Sequence, residues 1–190
     1  MKGTVFLIIF FLIPAASAFS GNGYGNSTHP YEITNCTQLQ EMEDDKTSEY
    51  ILINDIDCSD TAAWNDGQGF APIGIGNKLF SGKFNGNNYT ISDLYINLPG
   101  TSYVGLFAHI KPLTEVHSVV LENIYVSGSI VVGGLAGMIE TGAHVYNIKT
   151  SGVVNGTDDL VGGIVGADYT SDINNSVSEC TVYGVDEVGG

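Results

Sequence analysis

The sequence of 190 residues contains few charged side chains and very few basic ones. Charged residues make up 14% of the chain, and only 6 Lys and Arg stand against 21 Asp and Glu, for a net charge of −15. Typical soluble domains carry about 25% charged residues. A surface this poor in cations repels nucleic-acid phosphates and offers no basic patch to anionic lipids. The composition therefore argues against nucleic acid as a partner.

Long apolar runs are also missing after the N-terminus. The one marked run, residues 5–13, follows Lys2 and is followed by the small-residue stretch AASA at residues 15–18. This layout is typical of a secretory signal peptide, and the run is shorter than the roughly 20 residues that span a bilayer. We expect residues 1–18 to be removed, leaving a secreted or cell-surface protein with no membrane insertion. An uncleaved N-terminal anchor is the alternative.

Cysteine is scarce, with three residues in the chain. Secretion permits disulfides, and a bond between Cys36 and Cys58 would close a short N-terminal loop. Cys180 would then be free or paired with a residue beyond position 190.

Glycine, by contrast, is abundant, and a short apolar–glycine step recurs along the chain. The copies read VGLFA, VGGLAG, VGGIVG and VGG, and no helical period occurs among them. The first glycine of each step recurs at intervals of 28, 29 and 27 residues. These glycines are Gly105, Gly133, Gly162 and Gly189. A near-constant period of this size indicates a solenoid, in which short parallel strands of successive repeats stack about 4.8 Å apart.

The repeats also align in their second halves. Matching the glycines that close each half places Val126, Val154 and Val182 in one column, which we expect to face the core. Stacked Asn amides can hydrogen-bond from rung to rung. A second column consists of Ser118, Asn147 and Asn175, and its two Asn side chains are placed for such a hydrogen bond.

The first glycine of the step is present in every copy, whereas Leu106 replaces the second in the first copy. The first position therefore requires a backbone angle or a close approach that only glycine tolerates. A phosphate-binding loop is excluded, because no helix signal follows the glycines and no Walker-type pattern is present.

The segment before the repeats has a different composition. Residues 19–30 form a polar lead, and residues 31–98 are predicted to hold the N-terminal cap and the first rungs. Within them, a short helix at residues 35–45 with Asn35 or Thr34 as its cap would cover the open end of the solenoid, and residues 50–56 form a strand. Residues 99–190 hold the repeats of about 28 residues, the last of them truncated.

Acidic side chains form the one candidate site. They occupy the corner before the glycine step in two successive repeats, where stacking brings like charges together and a calcium ion could bridge them. A solvated acidic loop is the alternative. The residues of this candidate calcium site are Asp158, Asp159, Asp186 and Glu187.

The glycine steps, together with VHSVVLENIYVSG, VYNIKTSGVVNG and the upstream FSGKFNGNNYTISDLYI, resemble GLUG-motif repeats over residues 31–190. The resemblance implies right-handed parallel β-helix rungs in large secreted or surface proteins of bacteria and archaea. Similar repeats occur beside the catalytic domain of immunoglobulin-A-cleaving metallopeptidases. The resemblance supplies no catalytic residues, and no H-E-x-x-H pattern is present.

These observations predict an all-β, right-handed parallel β-helix with a short N-terminal helical cap. Its predicted function is a secreted or cell-surface module for adhesion or scaffolding. We expect no enzyme activity, no cofactor other than the calcium considered above, an extracellular glycan or protein ligand, and continuation into further repeats or domains.

Two other functions fit the sequence. One is a carbohydrate-binding or carbohydrate-cleaving β-helix, in which outward tyrosines such as Tyr125 and Tyr183 would stack on sugars, although packing is the preferred interpretation. The other is a non-catalytic flank of a larger surface protease.

Overall fold

The computed structural model describes residues 19–76 and 79–189. They form a nearly all-β fold, a parallel β-solenoid of about four turns with very little helix, which confirms the predicted fold class. The signal peptide predicted at residues 1–18 lies outside the described residues. The strands are β1 (Tyr31–Ile33), β2 (Glu49–Leu52), β3 (Ile56–Asp57), β4 (Lys83–Asn85), β5 (Thr90–Ser92), β6 (Tyr95–Asn97), β7 (Phe107–Ile110), β8 (Glu115–Gly128), β9 (Val132–Gly133), β10 (Ala136–Ile139), β11 (His144–Gly156), β12 (Val161–Gly162), β13 (Val165–Asp168), β14 (Asp172–Asn174), β15 (Val177–Tyr183) and β16 (Val188–Gly189).

The strands stack into three parallel sheets. The largest follows the order β1-β2-β4-β8-β11-β14, with β5 and β6 also pairing with β8, β3 with β5, and β15 with β11. The smaller sheets are β7-β10-β13 and β9-β12-β16. Val126 pairs with Val154 and Val154 with Val182, as the alignment of the repeats predicted.

The core is a continuous apolar column inside the coil. Val126 and Val154 are fully buried, as are Phe80, Phe84 and Phe107. Phe107 contacts Phe80 at a centroid distance of 4.8 Å and Phe84 at 5.8 Å. Each rung thus buries its apolar side chains against its neighbours rather than within itself.

The long strands turn corners at residues with left-handed backbone angles. Strand β8 bends at Ser118 (φ 55°) and Asn123 (φ 53°), and β11 bends at Asn147 (φ 56°) and Gly152 (φ 126°). A further left-handed residue precedes every Val-Gly step. These residues are Tyr103, Val131, Leu160 and Glu187.

The N-terminal end of the solenoid is covered. Helix α1 (Cys36–Glu41) buries Leu39, and the side chain of its cap residue Asn35 accepts a hydrogen bond from the backbone N–H of Gln38. The polar lead also belongs to this cap, because Asn22 bridges Glu32 of β1 in antiparallel fashion. Among the described residues, no helix has the length and apolar character needed to cross a membrane.

Two predicted elements are shorter than expected. The helix predicted at residues 35–45 ends at Glu41. Its first turn contains no acidic residue that would stabilise the helix through its dipole. The strand predicted at residues 50–56 divides into β2 and β3, with residues 53–55 outside any strand. Two 3-10 turns follow β3, at Ser59–Ala63 and Asn65–Gly67.

The last turn of the solenoid leaves apolar side chains exposed. Val185 is 67% exposed, Tyr183 57% and Val177 50%. The two ends of the described coil therefore differ, one covered by helix and lead, the other open.

Candidate functional site

The glycines of the first three Val-Gly steps, Gly105, Gly133 and Gly162, lie where two backbone segments come close. A Cβ on Gly133 would overlap the carbonyl oxygen of Ala136 in the same corner and would lie 2.7 Å from backbone atoms of Val165 and Gly166 in the next rung. A Cβ on Gly105 would lie 2.7 Å from the carbonyl oxygen of Gly133. None of the step glycines has a positive φ, so close approach rather than backbone angle requires glycine in these three steps.

The candidate calcium residues occupy one corner of two successive rungs. Asp158, Asp186 and Glu187 are exposed and Asp159 is half-buried. Their backbone oxygens already hold neighbouring strands, since Asp159 accepts from the N–H of Val131 at 3.3 Å. Among the described residues no group of three His, Cys, Asp or Glu side chains is placed to hold a metal ion. Calcium at this corner stays a prediction.

The structure joins Cys36 and Cys58 in a disulfide with the Cα atoms 5.3 Å apart. Cys180 carries a free thiol, is half-buried, and pairs in register with Gly152, which pairs in turn with Ile124.

The outward side chains of neighbouring rungs contact one another along the axis. The rings of Tyr95 and Tyr125 are stacked with centroids 5.0 Å apart and planes at 13°. In the next rung Tyr125 pairs in register with Val153. The ring faces are therefore used in packing along the axis, which favours the packing interpretation of Tyr125 over sugar stacking.

A second ladder combines ionisable and aromatic groups on the outer face of the largest sheet. His117 and Tyr146 are stacked at 4.8 Å with planes at 2°. The hydroxyl of Tyr146 donates to Glu115 Oε1 at 2.7 Å, and Lys83 Nζ lies 3.9 Å from Glu115 Oε2 and 3.7 Å from Glu49 Oε1. Five charged or titratable side chains from four successive rungs thus meet in one row.

The environment of this ladder shifts two proton affinities. Burial lowers the pKa of His117, Glu115 opposes that change and Lys83 adds to it. The hydrogen bond to Glu115 raises the pKa of the Tyr146 phenol. His117 is thus held neutral and Tyr146 protonated at neutral pH. The hydroxyl of Tyr146 already donates its hydrogen bond to Glu115. Because of this, the arrangement suits packing between rungs better than proton transfer to a substrate.

Sequence reasoning did not find this ladder. The repeat alignment could have predicted it, because His117 and Tyr146 each follow the valine that opens the second half of a repeat and therefore occupy equivalent positions. The predicted amide column is present, with Asn175 Nδ2 donating to Asn147 Oδ1 at 2.6 Å.

No family model matches the chain. Halomucin from Haloquadratum walsbyi is 35% identical over 171 residues, which cover 86% of this chain but 2% of halomucin. A putative Gly-rich membrane protein from Evansella cellulosilytica is 31% identical over 148 residues, which cover 70% of this chain and 17% of that protein. The chain therefore spans only a small part of the relatives it matches.

Among solved structures, the crystal structure of a putative immunoglobulin A1 protease from Bacteroides ovatus aligns with a TM-score of 0.41 and 16% identity. The alignment covers 88% of this chain and 79% of that one.

Proposed function

We propose that the chain is a secreted or cell-surface β-solenoid module of the GLUG-repeat kind that serves adhesion or scaffolding and is not itself an enzyme. The observation that carries this proposal is the use of outward side chains as rung-to-rung ladders. The Tyr95–Tyr125 stack, the His117–Tyr146 stack and the Asn147–Asn175 hydrogen bond all lie along the coil axis. Such ladders stiffen a rod and leave few side chains arranged around a reacting substrate.

The relatives support an external location. One is named halomucin and the other a membrane protein, and both names belong to surface or membrane components. A shortage of basic residues with a net charge of −15 fits a soluble surface that does not adhere to nucleic acid. We further propose that the natural chain continues into additional repeats or domains.

Location and adhesion are tested with the full chain carrying a C-terminal epitope tag in a secreting host. We expect the tag in the medium or on intact cells, where antibody reaches it without permeabilisation. Beads coated with the purified protein should then bind cells more strongly than beads coated with an unrelated acidic protein. Retention of the tag inside the cell would contradict the proposed location.

Absence of catalysis is tested separately by incubating the purified protein with polysaccharides and proteins. We expect chain lengths to stay unchanged. Progressive shortening of a polysaccharide, lost in a Glu115→Gln variant, would instead favour the carbohydrate-cleaving function.

A further inference from the structure

A cleft of about 680 Å³ opens beside the helical cap, outside the repeats. Helix α1 and the turn that follows it form one wall, and the segment after β3 forms the other. The residues that line it are Thr37, Gln40, Glu41, Glu43, Asp44, Trp64, Asn65 and Ala71.

The two walls are fastened together at three points. The disulfide joins Cys36 at the start of α1 to Cys58, which directly follows β3. The side-chain amide of Gln40 donates to the carbonyl oxygen of Ala71 at 3.0 Å and accepts from its N–H at 2.8 Å. Glu43 Oε2 accepts from the N–H of Gly74 at 2.6 Å. A cleft braced in this way loses little conformational entropy when a ligand enters.

The wall formed by the segment after β3 contains Trp64, the chain's single tryptophan. Trp64 is half-buried, and its ring stacks on the fully buried Phe70 with centroids 6.5 Å apart and planes at 24°. The rest of the indole faces the cleft. An indole held against a buried ring in the wall of a concavity is a platform for a pyranose face or a cation.

The carboxylates of the cleft are only partly neutralised. Glu43 pairs with Lys46 at 2.8 Å. Glu41 accepts the N–H of Ser20 at 2.8 Å but, like Asp44, has no cationic partner among the described residues. Because Glu41 and Asp44 are three residues apart, with the N–H of Asp44 donating to the carbonyl of Glu41, both side chains reach the same opening. The cleft thus combines an aromatic platform with two carboxylates that have no Lys, Arg or His partner among the described residues.

We propose that this cleft binds an ammonium-bearing saccharide, with a pyranose face on Trp64 and the ammonium group at Glu41 and Asp44. Charge complementarity selects this ligand, since an anionic sugar would be repelled and a neutral one would leave both carboxylates unpaired. The inference rests on the proposed function, because it names the ligand class of the adhesion module.

The test compares a glucosamine oligomer with an N-acetylglucosamine oligomer of the same length, titrated into the purified protein. Trp64 fluorescence, excited selectively over tyrosine, reports the cleft directly because no other tryptophan is present. We expect the glucosamine oligomer to change the fluorescence and to bind more weakly as sodium chloride is raised. The acetylated oligomer should bind at least about tenfold more weakly.

Two variants locate the binding and two serve as their controls. Asp44→Asn removes one charge from an exposed side chain, and we expect roughly tenfold weaker binding in calorimetry. Its control is Asp158→Asn, which removes one charge at the opposite end and should bind normally. Trp64→Ala should abolish binding in calorimetry, whereas Tyr169→Ala, which removes an exposed aromatic ring far along the coil, should not. Far-ultraviolet circular dichroism checks that each variant is folded.

Equal binding of both oligomers, or unchanged binding by folded Asp44→Asn, would overturn the proposal. Tighter binding of an oligolysine peptide than of the glucosamine oligomer would assign the cleft to a basic protein segment instead. No binding by a folded protein that is still found on the cell surface would overturn this inference while leaving the proposed function intact.

Discussion

At the scale of single residues, Gly133 is the clearest point at which the fold depends on one side chain being absent. A Cβ there would overlap the carbonyl oxygen of Ala136 and press on the next rung. We expect Gly133→Ala to lower the free energy of unfolding by about 1–3 kcal/mol, the usual cost of overpacking. Urea denaturation followed by circular dichroism measures the change.

The matched control is Gly189→Ala, at the same position of the last rung. A Cβ on Gly189 would meet nothing within 4 Å, so the free energy of unfolding should change by less than about 0.5 kcal/mol. Equal losses in the two variants would mean that glycine acts through backbone freedom and not through close approach.

Asn147 combines two roles that different substitutions separate. Asn147→Gly keeps the left-handed backbone but removes the hydrogen bond from Asn175, at a cost of about 0.5–1 kcal/mol. Asn147→Ala also strains the backbone and should lose about a further 1 kcal/mol. Thermal unfolding of the two variants ranks them, and an alanine variant more stable than the glycine variant would contradict the assigned backbone role.

Single residues also differ in how far their conformation could be predicted from the sequence. The amide column could be predicted, because Asn tolerates left-handed angles and recurs at one repeat position. The corner before each Val-Gly step could not, because Val131 and Leu160 have no preference for φ near 60° and adopt it only as stacked rungs require.

At the scale of elements, the His117–Tyr146 ladder links the largest sheet to pH. Burial lowers the folded-state pKa of His117 below its unfolded value near 6.5, with Lys83 adding to the shift and Glu115 opposing it. The unfolded chain therefore binds the proton more readily. The stabilising contribution is complete above about pH 6.5 and is lost as pH falls through the lowered pKa.

We therefore expect the free energy of unfolding to fall between about pH 7 and pH 5, and the His117→Gln variant to show a shallower fall. His29→Gln, at an exposed side chain in the lead, is the control and should keep the wild-type slope. Denaturant midpoints measured across this range provide the comparison. The prediction is wrong if His117→Gln leaves the slope unchanged.

The elements themselves were predicted unevenly. Strand pairing followed from the period, because identical repeat positions must stack in register. The ends of α1 and the break between β2 and β3 did not, since these segments belong to no repeat and are fixed by the disulfide and by contacts with the lead. The cleft escaped prediction for the same reason. Its walls come from α1 and the segment after β3, which only the folded chain brings together.

At the scale of the whole molecule, the dominant property is a net charge of −15 with few ion pairs to offset it. The pairs of Lys83 and Lys149 involve exposed side chains and contribute little. Raising salt shortens the Debye length from about 30 Å at 0.01 M to about 3 Å at 1 M, so self-repulsion should weaken more than these pairs do. We expect the melting temperature to rise over this range in scanning calorimetry, equally with sodium and choline chloride.

A comparison of calcium with sodium distinguishes general charge screening from binding at a specific site. Ions that only screen must act alike at equal ionic strength, whereas an ion bound by the folded state adds stability through mass action. Calcium held at the acidic corner would therefore raise the melting temperature beyond sodium, and the Asp159→Asn variant would lose that increment while Asp44→Asn, at the opposite end of the coil, kept it. If calcium and sodium give the same curve in the wild type, the corner is a solvated acidic loop, and its like charges are tolerated because the side chains of two rungs reach open water rather than each other.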